Sequence, residues 1–155
     1  MDRASQLPLP FAGGPQPDHS GCVKPSRVTR REHSISADLT RLREAREFGA
    51  QAAADFGLDE DACYEVKLAL SEAVTNAIQH GSRSPDAPIR ICAMGEPGAL
   101  VLEVIDTGRF VPRVTRRGEM PESGRGLEFM RLMMDEVDLQ PGSDGTRLRL
   151  VKRLQ

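Results

Sequence analysis

The sequence is poor in aromatic residues, which limits the ligands that the protein can bind by stacking. Its 155 residues include five phenylalanines, one tyrosine and no tryptophan. Proteins that bind single-stranded nucleic acid usually stack the bases on aromatic side chains. The charges are also balanced, with 21 basic and 23 acidic residues, so no general attraction to nucleic acid or to an anionic membrane is expected. Neither is predicted as a direct partner.

Cysteine and long apolar segments are scarce as well. Cys22, Cys63 and Cys92 are odd in number and widely spaced, which suits neither a disulfide framework nor a zinc site and favours a reducing compartment. The apolar residues near the N-terminus are interrupted by Pro8 and Pro10, so a signal peptide is not expected. No segment approaches the roughly 20 apolar residues that a membrane span needs. The composition therefore predicts a cytoplasmic protein.

Length and proline content predict one folded domain behind an N-terminal tail. A chain of 155 residues suits a single domain of ordinary size. Residues 1–26 hold five of the eleven prolines and cannot bury enough apolar surface to offset the entropy lost on ordering. We therefore expect a flexible Pro/Gly-rich tail over residues 1–26 and a folded domain over residues 27–155.

The hydrophobic pattern predicts an α+β fold with three helices and five short strands. Apolar residues recur at helical spacing from Asp38 to Phe56, from Asp59 to Gly81, and again from Gly124 onward. Between residues 109 and 123 the chain is polar and basic, and a mobile loop is expected there because loops this long are usually functional or disordered. The predicted strands cover residues 28–36, 89–94, 99–105, 137–140 and 146–154, with a hairpin turn at 95–98.

The second predicted helix carries two polar residues within a largely apolar sequence. Glu72 and Asn76 are four residues apart and therefore lie on one face of the helix, about one turn from each other. A buried carboxylate is costly unless a partner, a metal ion or a solvated cleft compensates its charge. The pair is therefore a candidate site, and a hydrogen-bonded network within the core is the alternative.

Three further short motifs stand at the boundaries of predicted elements. Asp106-x-Gly108 ends a strand, Gly124-x-Gly126 opens a helix, and Gly145-Thr146 precedes the final strand. Each motif alone is weak, because a strand-ending Asp-x-Gly is an ordinary turn and a lone Gly-x-Gly is common. Their combination with the polar helix pair makes a nucleotide site the stronger interpretation.

A nucleoside triphosphate would use these groups in complementary ways. Asn76 can offer an amide oxygen to Mg²⁺, and Glu72 can accept a proton from an attacking hydroxyl group. Backbone N–H groups around Gly124 and Gly126, at a helix N-terminus, can bind phosphate oxygens. The Asp106 carboxylate can accept a hydrogen bond from an exocyclic amino group such as that of adenine.

At these residues the sequence resembles the GHKL superfamily of ATP-binding domains, which includes gyrase, Hsp90, histidine kinases and MutL. The string SEAVTNAI-x-HG at Ser71–Gly81 is most similar to the bacterial anti-sigma factor serine kinases. The resemblance extends over residues 27–154. It implies the Bergerat fold, a two-layer α/β sandwich in which helices cover one face of a mixed sheet.

The resemblance also implies a role for each motif. Glu72 is expected to be the general base, and Asn76 is expected to be the Mg²⁺ ligand. Asp106 would bind the adenine with Gly108 beside it, and Thr146 would make a second contact near the base. The remaining expected ATP contacts lie in the lid and phosphate-binding segment: Gly124, Arg125, Gly126 and Leu127.

The function implied by the resemblance is that of an anti-sigma factor with serine kinase activity that uses ATP and Mg²⁺. Such proteins act as homodimers, bind a sigma factor, and phosphorylate a serine on a STAS-domain anti-anti-sigma factor. The sequence departs from the family pattern at Phe110, where a second glycine is frequent, and at Glu122, where a basic residue is frequent. Arg116, Arg117 or Arg125 could supply the cation near the γ-phosphate instead.

Two other functions are compatible with the same motifs. The domain could bind nucleotide, or have lost that ability, and regulate a partner by contact alone, without phosphoryl transfer. It could also be a related switch protein that activates a phosphatase. His80 matches the family string, but the favoured interpretation is a histidine at a helix C-terminus that is stabilised by the helix dipole.

Overall fold

Five strands form one sheet in the computed structural model, which describes residues 30–81, 84–108 and 122–155 and gives only the backbone at 122–124. The predicted tail at residues 1–26 lies outside these ranges. So do residues 109–121 of the predicted loop, including Phe110, Arg116 and Arg117. Within the described ranges, no helix has the length and apolar character needed to cross a membrane.

The elements follow the order that the sequence predicts. The helices are α1 (Leu42–Phe56), α2 (Glu60–Asn76) and α3 (Glu122–Met133), with a 3-10 turn at Leu39–Arg41 before α1 and a π-helical turn at Ala77–Gly81 after α2. The strands are β1 (Arg31–Ser36), β2 (Pro88–Glu96), β3 (Ala99–Asp106), β4 (Glu136–Pro141) and β5 (Thr146–Arg153).

The strand order is β1-β2-β3-β5-β4, and each described pair of neighbours is antiparallel. The α+β sandwich is therefore confirmed, whereas the expected mixed sheet is wrong for the described strands. The described sheet is entirely antiparallel because of the position of β5. After the crossover through α3, β4 runs in the same direction as β3, but β5 lies between them and pairs antiparallel with both.

Local sequence signals account for the helix boundaries. The Asp38 side chain accepts a hydrogen bond from the backbone N–H of Thr40 and caps the 3-10 turn. Gly57 ends α1 with a φ of 98°, a left-handed conformation that favours glycine. Asp59 caps α2 by accepting a hydrogen bond of 2.8 Å from the N–H of Ala62. These caps fix where α2 starts, and therefore which residues lie in its last turns.

The main core lies between the helices and one face of the sheet. Leu70 of α2 is fully buried there, as is Met130 of α3, and Met134, which follows the last residue of α3, is also buried. The opposite face of the sheet carries a smaller apolar cluster, which consists of Ala99, Val101 and Val151 with Met94 packed against them. The unequal clusters show that the helices cover one face of the sheet, as the resemblance implies.

Lys152 connects the sheet to two helices. Its side chain belongs to β5 and is buried, with the residue only 7% exposed. The ammonium group forms an ion pair with Glu65 of α2 and donates a hydrogen bond of 2.9 Å to the carbonyl oxygen of Met133 at the end of α3. Because α3 contains the Gly124-x-Gly126 motif, this link helps to position that motif relative to α2.

The position of the main core predicts that replacing a buried leucine destabilises the protein much more than replacing an exposed one. Leu70→Ala should lower the free energy of unfolding by roughly 2–5 kcal/mol, because it removes buried methyl groups and leaves a cavity. Leu132→Ala is the matched control, since Leu132 is 78% exposed, and should change it by less than about 0.5 kcal/mol. Urea unfolding followed by circular dichroism measures both values, and equal losses would contradict the assigned core.

Candidate functional site

A pocket of about 50 Å³ lies where the four sequence motifs meet. Its lining includes Asn76 from the end of α2, Asp106 from the end of β3, Leu127 from α3 and Thr146 from the start of β5. Each motif or its immediate neighbour therefore contributes a residue. The other lining residues are Ala73, Ala77, His80, Gly81, Val104, Leu139 and Leu148.

Asp106 is the buried carboxylate of this pocket, with the residue 6% exposed. Its Oδ1 accepts hydrogen bonds from the backbone N–H of Gly108 at 3.0 Å and of Thr146 at 3.3 Å. Burial raises the pKa of the carboxyl above its ordinary value, while these two hydrogen bonds act in the opposite direction. The carboxylate thus connects the ends of two paired strands and remains beside the pocket.

Thr146 contributes a hydroxyl group that has no protein partner. The residue is 6% exposed, and its Oγ1 finds no hydrogen-bond partner in the part of the chain that the structure describes. A buried polar group without a partner costs roughly 1–3 kcal/mol. Because Thr146 lines the pocket, a polar group of a ligand placed there could remove this cost.

Glu72, Asn76 and Gly126 lie against one another. A Cβ atom added at Gly126 would be 2.6 Å from Oε1 of Glu72 and 2.9 Å from Nδ2 of Asn76. The two polar side chains therefore pack against the backbone of α3 at a position where a side chain would clash with them. Both residues are half-buried, and neither side chain has a hydrogen bond or an ion pair to the residues described. A satisfied core network, the alternative interpretation, is therefore not found among the residues that the structure describes.

The Gly-x-Gly motif lies inside α3 and not at its first residue, because α3 begins at Glu122. Gly124 falls in the first turn, where the N–H groups lack partners within the helix. Gly126 lies two positions further along, beyond those groups. Arg125 between them is exposed. The predicted phosphate contact is thus more favourable at the backbone of Gly124, whereas Gly126 makes room for Glu72 and Asn76.

Several residues of this region were not singled out from the sequence as parts of the site. His80 and Gly81 end the π-helical turn and line the pocket, although His80 was assigned to the helix dipole. Arg46 of α1 donates a hydrogen bond of 2.9 Å to Oγ of Ser71, the neighbour of Glu72. The family string contains Ser71, His80 and Gly81 and offered a signal for them. No local pattern marks Arg46, because its contact joins two helices.

The residues proposed for Mg²⁺ do not form a site by themselves. In residues 30–81, 84–108 and 122–155, no group of three or more His, Cys, Asp or Glu side chains could hold a metal ion. The predicted Mg²⁺ site does not need such a group, because Asn76 would supply one oxygen and nucleotide phosphates would supply others. The absence of a described partner for Asn76 fits this arrangement, and its role as a ligand stays a prediction.

The burial of Asp106 predicts a pH dependence of the nucleotide-free protein. Its pKa is raised in the folded state, so its contribution to stability is complete below the unfolded pKa of about 3.9 and is lost as pH rises through the folded pKa. Asp106→Asn should remove this decline. Urea unfolding at several pH values from about 4 to 7 measures it. The control is Asp61→Asn at an exposed position, which should keep the decline. If the free energy of unfolding changes with pH in the same way in both variants, the prediction is wrong.

Comparisons with known proteins agree with this geometry. The family described as "Histidine kinase-like ATPase domain" matches residues 35–152. An anti-sigma F factor of Clostridium acetobutylicum is 32% identical over 135 residues, which cover 79% of this chain and 94% of that protein. An anti-sigma F factor of Thermoanaerobacter sp. (strain X514) is 36% identical over 98 residues, which cover 57% of this chain and 68% of that protein.

A solved structure shows the same fold. The crystal structure of the RsbU and RsbW domains of Rv1364c from Mycobacterium tuberculosis matches with a TM-score of 0.64 and 24% identity. The match covers 81% of this chain and 32% of that longer one. The family match at residues 35–152 includes all four motifs and all residues that line the pocket. The GHKL resemblance is thus confirmed, and the chain belongs to the histidine kinase-like ATPase domain family.

Proposed function

We propose that this protein is an anti-sigma factor that uses Mg-ATP to phosphorylate a serine on a STAS-domain anti-anti-sigma factor. The observation that carries the proposal is the convergence of four sequence motifs on one pocket. The names of the anti-sigma F factor relatives support the sigma-factor partner. A cytoplasmic location and a homodimeric state belong to the same proposal, as the sequence and its resemblance imply.

The pocket has the groups that an adenine base needs. Asp106 would accept a hydrogen bond from the exocyclic amino group, and the hydroxyl of Thr146 would bond to a polar atom of the base. The apolar lining of Val104, Leu139 and Leu148 suits the faces of a planar ring. Since Thr146 Oγ1 has no partner in the described part of the chain, binding would satisfy a group that is otherwise costly to bury.

The face of α2 beside the pocket has the groups that phosphoryl transfer needs. Asn76 would hold Mg²⁺ through its amide oxygen, and the bound ion would supply neutralisation of phosphate charge. Glu72 would accept the proton of the attacking serine hydroxyl while that oxygen bonds to the γ-phosphorus and ADP leaves. The lack of a described partner leaves the Glu72 carboxylate available for this role.

A binding module without phosphoryl transfer is the second candidate. Glu122 begins α3, at a position where the resembled family frequently has a basic residue. An acidic side chain there offers no cation to the transferred phosphate. Calorimetry that finds no Mg-dependent binding of ATP or ADP would favour this candidate over the kinase.

Glu72→Gln separates transfer from binding. It should lower the rate of phosphoserine formation on the STAS-domain protein of the same cell by about 10²- to 10⁴-fold, because it removes the general base. ATP affinity, measured by calorimetry, should stay close to that of the wild type. Glu60→Gln is the matched control, since Glu60 is an exposed carboxylate on the same helix. A wild type that binds the STAS-domain protein but forms no phosphoserine would contradict kinase activity.

Asn76→Ala tests the predicted metal ligand. The variant should lose at least about tenfold in ATP affinity when Mg²⁺ is present, and it should change little in an excess of chelator. Titration calorimetry under both conditions measures the difference. Gln79→Ala, an exposed amide in the π-helical turn, should keep the wild-type response to Mg²⁺. An equal loss of affinity in both conditions would show that Asn76 does not act through the metal.

A further inference from the structure

The two oxygens of Asp106 have different surroundings. Oδ1 accepts hydrogen bonds from the backbone N–H groups of Gly108 and Thr146, at 3.0 Å and 3.3 Å. Within the described ranges, no group donates a hydrogen bond to Oδ2. A carboxylate oxygen can accept two hydrogen bonds, and both described bonds are on Oδ1. Oδ2 is therefore the oxygen with full capacity left for a ligand.

Gly81 faces this second oxygen. A Cβ atom at position 81 would lie 2.1 Å from Oδ2 of Asp106 and 2.4 Å from its Cγ. Both distances are far below the 3.0 Å that real Cβ contacts respect. Both residues line the pocket. Any side chain at position 81 would therefore displace the carboxylate or the backbone of one of the two segments.

The backbones on both sides are held in place. A Cβ at Gly108 would lie 1.2 Å from the carbonyl oxygen of Gly81, so these two segments are already in direct contact. Asp106 is paired with Thr146 across β3 and β5, and a Cβ at Gly145 would lie 1.9 Å from the Asp106 carbonyl oxygen. With both backbones packed this closely, the Asp106 side chain is the group that can move.

We propose that Gly81 is a positioning residue that sets the selectivity of the pocket for a purine with an exocyclic amino group. The absence of a Cβ lets the Asp106 carboxylate keep both backbone hydrogen bonds while Oδ2 stays available to the ligand. A methyl group at position 81 turns the carboxylate away and removes the acceptor for the amino group. The inference rests on the proposed nucleotide site and adds a residue to which no role was assigned.

The selectivity can be measured with two nucleotides that differ at one position of the base. ATP carries an amino donor where ITP carries an oxo acceptor, so a carboxylate acceptor favours ATP and disfavours ITP. Gly81→Ala in the full chain should lower the affinity for Mg-ATP by about ten- to hundredfold, the value of one hydrogen bond to a charged group. Its affinity for Mg-ITP should change much less.

Gly98→Ala is the matched control for removing a glycine. Gly98 has a φ of 75° in the β2–β3 turn, and a Cβ there would meet nothing within 4 Å. The strain should lower the melting temperature without changing the ratio of ATP to ITP affinity. A Gly81→Ala variant with the wild-type ratio would overturn the inference. A wild type that binds neither nucleotide would instead refute the proposed nucleotide site, and the inference with it.

A double-mutant cycle decides the case if Gly81→Ala folds poorly. Asp106→Ala removes the carboxylate that the new methyl group would meet. Gly81→Ala should therefore cost much less stability in the Asp106→Ala background than in the wild type, as urea unfolding would show. Equal costs in both backgrounds would overturn the inference, because they would place the steric conflict somewhere other than at the carboxylate.

Discussion

The buried carboxylate of Asp106 holds together three of the segments that line the pocket. Its Oδ1 joins the end of β3 to the start of β5 through the N–H of Thr146, and it closes the turn at Gly108. The end of the π-helical turn packs directly on the same side chain at Gly81. Close packing of backbone on backbone is possible there because glycine has no Cβ. This contact fixes the end of β3, the start of β5 and the end of the π-helical turn relative to one another.

The opposite ends of the helices are fixed by a different interaction. Lys152 bridges Glu65 of α2 and the carbonyl oxygen of Met133 at the end of α3. The two helices are thus linked to β5 away from the pocket, while Gly126 of α3 contacts Glu72 and Asn76 near it. A buried ammonium group needs such partners, because an unpaired charge in the core is strongly destabilising.

Much of the fold and part of the site could be predicted from local signals. The helical periodicity located α1 and α2, and the motif residues Asn76, Asp106 and Thr146 do line one pocket. The arrangement of the strands was predicted less well, because periodicity locates each strand but does not determine which strands pair or in which direction they run. The contact of Arg46 with Ser71 was missed because the two residues belong to different helices.

The sequence by itself determined which residues are candidates for the chemistry and which element each belongs to, because helical and strand periods, caps and motif identity are local properties of the chain. The tertiary structure alone decided the surroundings of these residues. It inserted β5 between β3 and β4, left Glu72 half-buried without a described partner, and brought Gly81 against Asp106. Such contacts join residues far apart in the chain, and they follow only from how the layers pack.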